Sequence, residues 1–437
     1  MDLSDFAPLE NAAELDATAL GKLVKGIPPA AGSLTLGEVG RQGWNLLRGD
    51  LPLPAAVLHV ERLRANSRWM KEFLALNDLQ IAPHGKTTMA PQLFSLQLRD
   101  GAWAITVGTI HQMAVARHFG ARRILMANQP IGRVAVDACF AQLKADPGFE
   151  LYLLAESVAG VEMLAAGARR AGLGPGRAID VLLEVGYPGG RTGCRDLATA
   201  IAVAEAVAAS PGLRLAGIEN FEGLLPTTEA VDSFLDTYAA VAEAVAARGL
   251  LRKDAPVVLT AGGSAFFDRV ARRLARIQMP GPVLRVIRSG CYITHDIMGY
   301  ERNFRRMKAA GEVGLPGHDL TPALEVWTYV QSRHDATKAI VTMGRRDIGT
   351  DAGWPIPTLW FRPGAMEAPQ ALPAGHAIEG MNDQHSHLVL PPGGSPLAVG
   401  DMVAFGMGHP CTTFDKWDTM MLVGPGYDVV GALRSFF

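Results

Sequence analysis

The sequence has little of several features that would assign a protein to a class at once. Only four of its 437 residues are cysteine, too few for a disulfide framework and typical of a reducing cytoplasm. Lys and Arg total 41 against 43 Asp and Glu, which argues against a nucleic-acid or anionic-membrane surface as the main function. The longest apolar stretches, such as 199–209, contain a Glu and are too short to span a membrane.

The first ten residues also lack any basic group. They carry Asp2, Asp5 and Glu10 but no Lys or Arg, unlike the start of a signal peptide. Hydrophobic residues make up 49% of the chain and charged residues 19%, a composition that permits a large core and argues against disorder. At roughly 150 residues per domain, the length suggests about two or three domains. We therefore expect a cytoplasmic, multidomain enzyme.

Short apolar runs alternate with amphipathic segments between about residues 55 and 295. The runs lie at 55–60, 79–84, 104–108, 123–127, 150–155, 180–185, 214–219, 257–262 and 283–290. Apolar strands separated by helices predict repeated βα units and a parallel sheet. Nine runs are one more than a (β/α)8 barrel needs, so the first is free to pair elsewhere. A TIM-type barrel fits this count better than a doubly wound open sheet.

The pattern changes after about residue 300. Gly and Pro become frequent, and β-type runs follow one another without helices at 323–335, 338–344, 387–390 and 401–408. This predicts a second, mostly antiparallel β domain. The predicted α/β architecture therefore has an N-terminal extension over 1–54, a (β/α)8 barrel over 55–300 and a C-terminal β domain over 301–437. The extension is expected to be helical in part, over 16–27 and 36–49, and its place against either domain stays open.

Lys86 follows the apolar run 79–84 in the motif APHGKTT. The C-terminal end of a barrel strand lies on the catalytic face, and few acidic residues nearby would hold the charge of this lysine. A partly desolvated lysine has a lowered pKa and can form a Schiff base with an aldehyde. Taken alone, an ordinary surface lysine in a loop remains the better interpretation.

A glycine-rich turn, TAGGS, follows the run 257–262 and contains Gly262, Gly263 and Ser264. Such a turn can close on an anion, and a following helix adds positive potential. Late strand-end loops of a barrel are the usual phosphate site, and Gly290 and Tyr292 in RSGCY lie at the next strand end. Outside a barrel, the same motif is an ordinary strand-to-helix turn.

Further motifs carry candidate ligands. Arg191, in GGRTGCR, either holds an anionic ligand oxygen or stabilises a Gly-rich turn. His409 and Cys411 are two residues apart in MGHPCTTFD, so in extended backbone both could reach one metal. An imidazole with a thiolate favours Zn, and a pair of protein ligands leaves positions open for catalysis. His385, in NDQHSHL, is either a further substrate-site residue or a surface loop histidine.

In their order along the chain, these motifs resemble the fold-type III pyridoxal phosphate enzymes, the alanine-racemase-like class. Within that class the sequence is similar to the D-serine dehydratase and D-threonine aldolase family, over roughly residues 50–430. The resemblance is carried by PHGKT, the stretch 104–130, GGRTG, TAGGS, RSGCY and the late QH and HPC motifs. No single motif is specific, whereas their order is.

The resemblance implies roles for the candidate residues. Lys86 would form the Schiff base with pyridoxal 5'-phosphate, and Arg191 would contact the ring-hydroxyl side of this cofactor. The residues implied to hold the phosphate are Gly262, Gly263, Ser264, Gly290 and Tyr292. Where the family often shows a Tyr or His motif near the ring, this sequence has Glu219, Asn220 and Phe221. Glu219 is our candidate partner for the pyridine nitrogen.

The late motif separates two activities. Dehydratases of the family bind Zn through a His-x-Cys pair, which His409 and Cys411 match, whereas aldolases more often present His-x-Asp with a different divalent ion. This favours a Zn-dependent dehydratase of a D-3-hydroxy amino acid such as D-serine, yielding a 2-oxo acid and ammonia. The alternative is a D-threonine-type aldolase that releases glycine and an aldehyde.

Two other functions fit the motifs less well. An amino-acid racemase would leave the metal pair without a role, and a non-catalytic pyridoxal phosphate carrier would not need the β region that holds it. By analogy with the class, we expect a homodimer with active sites at the interface, acting on a small molecule without a nucleic-acid or membrane partner.

Overall fold

The computed structural model describes residues 2–173 and 177–437. Its N-terminal segment holds helix α1 (Ala12–Asp16), strands β1 (Ala19–Leu20) and β2 (Leu34–Thr35), and 3-10 segments at Ser4–Phe6, Pro29–Ala31 and Leu36–Arg41. The helix predicted over 16–27 is wrong, because residues 19–20 pair with residues 34–35 instead. Gly21, Gly26 and the prolines that follow disfavour a helix there. Of the second predicted helix, 36–49, only the short 3-10 segment forms.

A run of alternating strands and helices follows. Its elements are β3 (Ala55–His59), α2 (Val60–Leu76), β4 (Gln80–Ile81), α3 (Pro91–Arg99), β5 (Ile105–Val107), α4 (Ile110–His118), β6 (Arg123–Met126), α5 (Arg133–Ala145), β7 (Glu150–Ala155), α6 (Val158–Ala171), β8 (Ile179–Val185), α7 (Leu197–Ala209), β9 (Leu213–Asn220), α8 (Thr228–Ala247), β10 (Val257–Ala261), α9 (Phe267–Leu274), β11 (Val283–Ile287) and α10 (Gly299–Ala310). Short 3-10 turns occur at Gly85–Thr87 and Cys291–Ile293.

Strands β4 to β11 form the predicted barrel. They are parallel, in the order β4-β11-β10-β9-β8-β7-β6-β5, and a parallel bridge between His84 and Thr106 joins the two ends. The first of the nine apolar runs, β3, lies in the other sheet. The barrel sheet therefore begins at residue 80. Helix α2, which follows β3 in the chain, nevertheless packs on the outside of the barrel.

The barrel interior is filled by one apolar layer. It comprises Ala82, Ala104, Leu125, Tyr152, Leu154, Leu182, Ala216, Val258 and Val286. Because alternate residues of a strand face the same side, residues two positions further along also face inward. Those residues include His84, Glu184, Thr260 and Arg288. The apolar layer thus supports a polar layer at the C-terminal mouth of the barrel.

The remaining strands form the predicted β domain. They are β12 (Leu324–Ser332), β13 (Lys338–Val341), β14 (Ile356–Phe361), β15 (Gln370–Ala371), β16 (Ala377–Met381), β17 (Ser386–Val389), β18 (Met402–Gly406), β19 (Thr419–Val423) and β20 (Val429–Arg434), with the short helix α11 at Cys411–Phe414. Pairing is antiparallel throughout except between β3 and β19. Helix α10 lies across the boundary predicted at residue 300, ahead of the first strand of the β domain, and its Tyr300, Phe304 and Met307 bury one apolar face.

The N-terminal segment contacts both domains. Its 3-10 segment Leu36–Arg41 packs along β20, where a Cβ on Gly40 would lie only 2.2 Å from the carbonyl oxygen of Val430. On the barrel side, Asp5 pairs with Arg64 of α2 at 2.6 Å. None of the helices among the described residues is long and apolar enough to cross a membrane.

A buried polar cluster joins β3 to the β domain. His59 at the end of β3 lies 3.0 Å from Glu325 on β12, and the Tyr427 hydroxyl and Trp327 indole donate to the same carboxylate at 3.0 and 2.9 Å. Burial alone would raise the pKa of Glu325, but the hydrogen bond and charge of His59, together with Arg62, outweigh it and lower the pKa to about 2. The folded protein therefore favours the ionised carboxylate.

This shift predicts a pH-dependent contribution to stability. The pKa of Glu325 falls from 4.5 to about 2 on folding, equivalent to about 3 kcal/mol of free energy of unfolding. The contribution is complete above pH 4.5 and is lost as the pH falls toward 2. Denaturant unfolding across this pH range should show a smaller loss for Glu325→Gln than for the wild type. Equal losses in the two proteins would contradict the assignment.

Candidate active site

Two adjoining cavities open at the C-terminal mouth of the barrel. The barrel cavity, of about 310 Å³, lies inside the mouth and is lined by Lys86, Glu184, Arg191 and Glu219, among others. The interdomain cavity, of about 410 Å³, extends toward the β domain and reaches His409 and Cys411. Both cavities are lined by His84, Lys86, Phe221, Gly263 and Arg288. The predicted Schiff-base lysine and the predicted metal pair therefore face connected space.

Lys86 stands in the 3-10 turn that follows β4. The preceding His84 is held by the bridge to Thr106, which fixes the turn at the rim of the barrel. Lys86 is exposed to the cavities, yet desolvation by the surrounding protein lowers the pKa of its ammonium, and the positive Arg191 and Arg288 act in the same direction. The lysine is thus placed as the sequence predicts, with a bias toward the neutral, nucleophilic amine.

An ion pair forms the floor of the barrel cavity. Arg288, at the end of β11, donates to a Glu219 carboxylate oxygen at 2.5 Å, to Thr260 at 2.9 Å and to the carbonyl of Asn220 at 2.8 Å. The second carboxylate oxygen of Glu219 is buried without a hydrogen-bond partner among the described residues. Burial raises the pKa of Glu219 to about 8 despite the opposing charge of Arg288. Glu219, which is among the residues that line the barrel cavity, therefore keeps one carboxyl oxygen without a partner in the described part of the chain.

The glycine turn after β10 is shaped by a glutamate. The backbone N–H groups of Gly262 and Gly263 donate to the buried carboxylate of Glu222 at 3.0 and 3.2 Å. These two amides are therefore engaged while Glu222 is in place, and the predicted anion contacts fall to the part of the turn beginning at Ser264. A Cβ on Gly263 would lie 2.7 Å from the Phe221 ring, so the turn needs glycine for close approach.

The opposite wall carries Glu184 and Arg191. Glu184 on β8 accepts a hydrogen bond from Thr192 at 2.5 Å and another from Gln129; burial raises the pKa of its carboxyl group. The guanidinium of Arg191 lies 5.1 Å from the centre of the Phe221 ring. An arginine stacked in this way has donors available for an anionic oxygen of a ligand.

The predicted metal pair lies where the β domain meets the barrel. The His409 ring bonds to Asp351 through Nδ1 at 2.5 Å, so Nε2 is the ring nitrogen that could bind a metal. Metal-binding histidines commonly hold a carboxylate on their other nitrogen. Cys411 begins α11 and its Sγ lies 3.4 Å from Sγ of Cys291. Among the described residues, no three His, Cys, Asp or Glu side chains already stand in place around one metal position.

Three predicted site residues lie apart from the cavity walls. Tyr292 is buried and its hydroxyl accepts a hydrogen bond from Gln97 at 3.2 Å, whereas Tyr300 on α10 lines the interdomain cavity. His385 occupies the exposed turn between β16 and β17. Gly262 underlies the glycine turn, with a Cβ position 3.2 Å from Ile287. Within the part of the chain that the structure describes, none of the three predicted residues lines the barrel cavity or the interdomain cavity.

Sequence reasoning missed several cavity residues. His84, Arg288 and Cys291 stand inside motifs already singled out, PHGKT and RSGCY, and strand alternation from Ala82 and Val286 would have turned the first two inward. Asp351 and Tyr300 come close only through the packing of distant elements, so the sequence gives no local signal for them.

The chain matches two protein-family models. Residues 58–290 match the model described as "Alanine racemase, N-terminal domain", and residues 323–423 match that described as "Putative serine dehydratase domain". Two curated proteins are similar in sequence. D-threonine aldolase of Arthrobacter sp. is 23% identical over 390 residues, covering 85% of this chain and 89% of that protein. D-threo-3-hydroxyaspartate dehydratase of Delftia sp. (strain HT23) is 25% identical over 379 residues, covering 83% and 92%.

Solved structures share the fold. D-threonine aldolase from Filomicrobium marinum superposes with a TM-score of 0.71 at 20% identity, covering 90% of this chain and 96% of that one. D-threo-3-hydroxyaspartate dehydratase from Delftia sp. HT23 gives 0.66 at 22% identity, covering 90% and 99%. An alanine racemase-like protein from Idiomarina loihiensis gives 0.63 at 14% identity, covering 88% and 96%. The common architecture is a barrel followed by a β domain.

Gly290 should be intolerant of a side chain. A Cβ there would lie 2.5 Å from Oγ1 of Thr87 and 2.7 Å from the carbonyl oxygen of His84, both in the turn that contains Lys86. Gly290→Ala should therefore lower the free energy of unfolding by about 1–3 kcal/mol, measured by urea denaturation. Gly317→Ala is the matched control, since nothing lies within 4 Å of its Cβ position. Equal stability of the two variants would contradict the crowding at Gly290.

Proposed function

Because the chain belongs to the alanine-racemase-like family of fold-type III pyridoxal phosphate enzymes, we propose that it is a lyase that dehydrates a D-3-hydroxy amino acid. One observation carries the proposal. Lys86 and the pair His409 and Cys411 line the same interdomain cavity, one from the barrel and the other from the β domain. An amino-acid substrate bound there would have Lys86 beside its α-carbon and the proposed metal ligands beside its β-carbon.

The cavities suit an anionic aromatic cofactor. Lys86 supplies the amine that attaches the cofactor aldehyde, and Arg191 lies where it can receive the ring-hydroxyl side. Ser264 and Gly290 line the interdomain cavity and would hold the phosphate, on a turn that Gly262 and Gly263 allow. The unpartnered oxygen of Glu219 is a candidate contact for the pyridine nitrogen, since a carboxyl group with raised pKa can share a proton there.

The acid–base chemistry of the proposed reaction is assigned to side chains of the barrel mouth. When bound, pyridoxal phosphate stabilises negative charge at the α-carbon of an attached amino acid. The neutral Nζ of Lys86, once free, removes the proton from that carbon. Desolvation, together with the positive charge of Arg191 and Arg288 beside the cavity, lowers the pKa of Lys86 and favours its action as a base. Products are a 2-oxo acid and ammonia.

A divalent metal, for which Zn is our candidate, completes the proposal. His409 and Cys411 would hold it, with Asp351 orienting the imidazole. A Lewis acid in this place assists departure of the β-hydroxyl group, a poor leaving group. Support comes from a solved structure of a D-threo-3-hydroxyaspartate dehydratase in which a cysteine is replaced by alanine and which is described as metal-free. The cysteine at position 411, where aldolases of the family more often have an aspartate, favours dehydration.

Cleavage of the Cα–Cβ bond is the second candidate activity. An aldolase would use the same cavity to deprotonate the β-hydroxyl and release glycine with an aldehyde. The similarity to D-threonine aldolases in sequence and fold supports it, at identities no higher than those to the dehydratase. Racemisation and a non-catalytic carrier role are less favoured, because neither function would use the pair His409 and Cys411 in the cavity.

The first experiment identifies the products. Purified holoenzyme is incubated with D-serine, D-threonine and D-threo-3-hydroxyaspartate, and 2-oxo acid is assayed against glycine plus aldehyde. We expect 2-oxo acid and ammonia as the main products; glycine as the main product would decide for the aldolase. Lys86→Ala should abolish turnover and the cofactor's near-visible absorption, whereas Lys253→Ala, which removes an exposed lysine, should keep both. A cofactor band unaffected by Lys86→Ala would overturn the pyridoxal phosphate assignment.

A second experiment isolates the metal. Cys411→Ala should lose bound Zn and at least about 100-fold in dehydration rate, because the Lewis acid is worth several kcal/mol at the leaving oxygen. The cofactor absorption should be unchanged, since Lys86 is intact. Metal content is measured by atomic emission, alongside turnover before and after chelation. Unchanged turnover in both the variant and the chelated enzyme would refute the metal role.

We also propose a homodimer in the cytoplasm with active sites at the interface. Large apolar side chains are exposed in the loops that follow β6 and β9 at the barrel mouth, namely Ile131, Val134 at the start of α5, and Leu224, each more than half accessible. Exposed apolar groups beside a site are typical of interaction surfaces. Light scattering should give the mass of two chains.

A further inference from the structure

Cys291 is the one thiol of the RSGCY motif, and it faces the metal pair from the barrel side. It begins the 3-10 turn after β11 and lines the interdomain cavity together with His409 and Cys411. Its Sγ lies 3.4 Å from Sγ of Cys411, although the two residues are 120 positions apart in sequence. Both thiols are free and partly accessible. The roles assigned so far make no use of Cys291.

We propose that Cys291 is a third protein ligand of the metal, giving the site two thiolates and one imidazole. The proposal rests on the proposed function only in taking His409 and Cys411 as ligands of a divalent ion. It adds a ligand that comes from the barrel, whereas the other two come from the β domain. The metal would then be bound by both domains at once.

The separation of the sulfur atoms fits a shared metal. Two thiolates at about 2.3 Å from a tetrahedral Zn lie about 3.8 Å apart, close to the 3.4 Å between the two Sγ atoms. A disulfide would require the two sulfur atoms to be about 2.05 Å apart. They would have to move further to reach this distance than to reach the separation in a shared zinc site. The donor types also match, because two thiolates and an imidazole form one of the known catalytic zinc sets.

His409 completes the set from the edge of the cavity. Since no three such donors among the described side chains already surround one metal position, the imidazole must approach the sulfur pair when the ion binds. Asp351 accepts from Nδ1 and can hold the ring in the orientation that turns Nε2 toward the sulfurs. Thr412 bonds the other oxygen of Asp351 at 2.6 Å, which fixes the carboxylate.

A third ligand changes what the site can accept. With two protein ligands, a tetrahedral ion keeps two positions for water or substrate; with three, it keeps one. The site would then bind a substrate through a single oxygen, the β-hydroxyl, and would leave no position for a second substrate oxygen. We infer that Cys291 restricts the substrate to this one metal contact.

The first test counts thiols in the wild-type holoenzyme, without substrate. Cys139 and Cys194 are buried, so under native conditions a disulfide reagent titrates Cys291 and Cys411. After full reduction and removal of reductant, saturating Zn should protect both thiols from the reagent. Protection of only one thiol would overturn the proposal, and so would the absence of Zn binding. Neither result alone would exclude a pyridoxal phosphate lyase, because 2-oxo acid formation is assayed separately.

The second test uses Co²⁺ as a spectroscopic substitute for Zn. Thiolate-to-cobalt charge-transfer absorption should fall by about half in Cys291→Ser, since one of two thiolates is lost. Metal affinity, measured by chelator competition, should fall by at least the roughly 10–100-fold typical of losing an outer-sphere partner. Cys139→Ala, which removes a thiol in α5 away from the cavities, should leave both unchanged. Unaltered absorption and affinity in Cys291→Ser would overturn the third ligand.

Discussion

Closure of the barrel at its shortest strand is the constraint on which the site depends. β4 contributes only two residues, Gln80 and Ile81, to the sheet, and the ring is completed by the bridge from His84 to Thr106. Backbone bonds from Trp103 to Ile81 and from Thr106 to Pro83 continue this seam. Lys86 follows within one turn. The position of the Lys86 backbone is therefore set by the backbone hydrogen bonds of this seam.

Charge compensation in the mouth follows from the same geometry. Inward-facing positions of neighbouring strands bring Glu184, Glu219 and Arg288 into one layer, and burial raises the pKa of both glutamates. The guanidinium of Arg288 donates hydrogen bonds to Glu219, Thr260 and Asn220. These protein contacts hold its positive charge in place at the barrel mouth. A buried polar layer of this kind is stable when its members are bonded, and the proposed contact to the pyridine nitrogen would supply a partner for the Glu219 oxygen that lacks one among the described residues.

The sequence allowed much of this architecture to be predicted. Apolar runs separated by amphipathic helices predicted the barrel strands to within a few residues, because hydrophobic periodicity is a local property of the sequence. The ends of these runs then predicted the positions of Lys86 and Arg191. The partners of these residues were not predictable in the same way. Glu222 engages the amides of Gly262 and Gly263, and Asp351 engages His409, through contacts between distant segments that no local pattern encodes. The prediction of an N-terminal helix over 16–27 was wrong because Gly and Pro favour turns. Helix propensity averaged over the whole segment does not reveal this local preference.

The insertion of β3 into the C-terminal sheet has a consequence for biosynthesis. β3 pairs with β12 and, in parallel, with β19, strands that the ribosome completes only after the whole barrel has been made. A chain that emerges from the N-terminus first can close the barrel while β3 still lacks both neighbours and exposes unpaired backbone. The sheet of the β domain is thus completed last, around a strand that was synthesised before the barrel. Until it closes, the nascent chain has Lys86 but not His409 and Cys411, so the candidate site is assembled only after residue 411 has been synthesised.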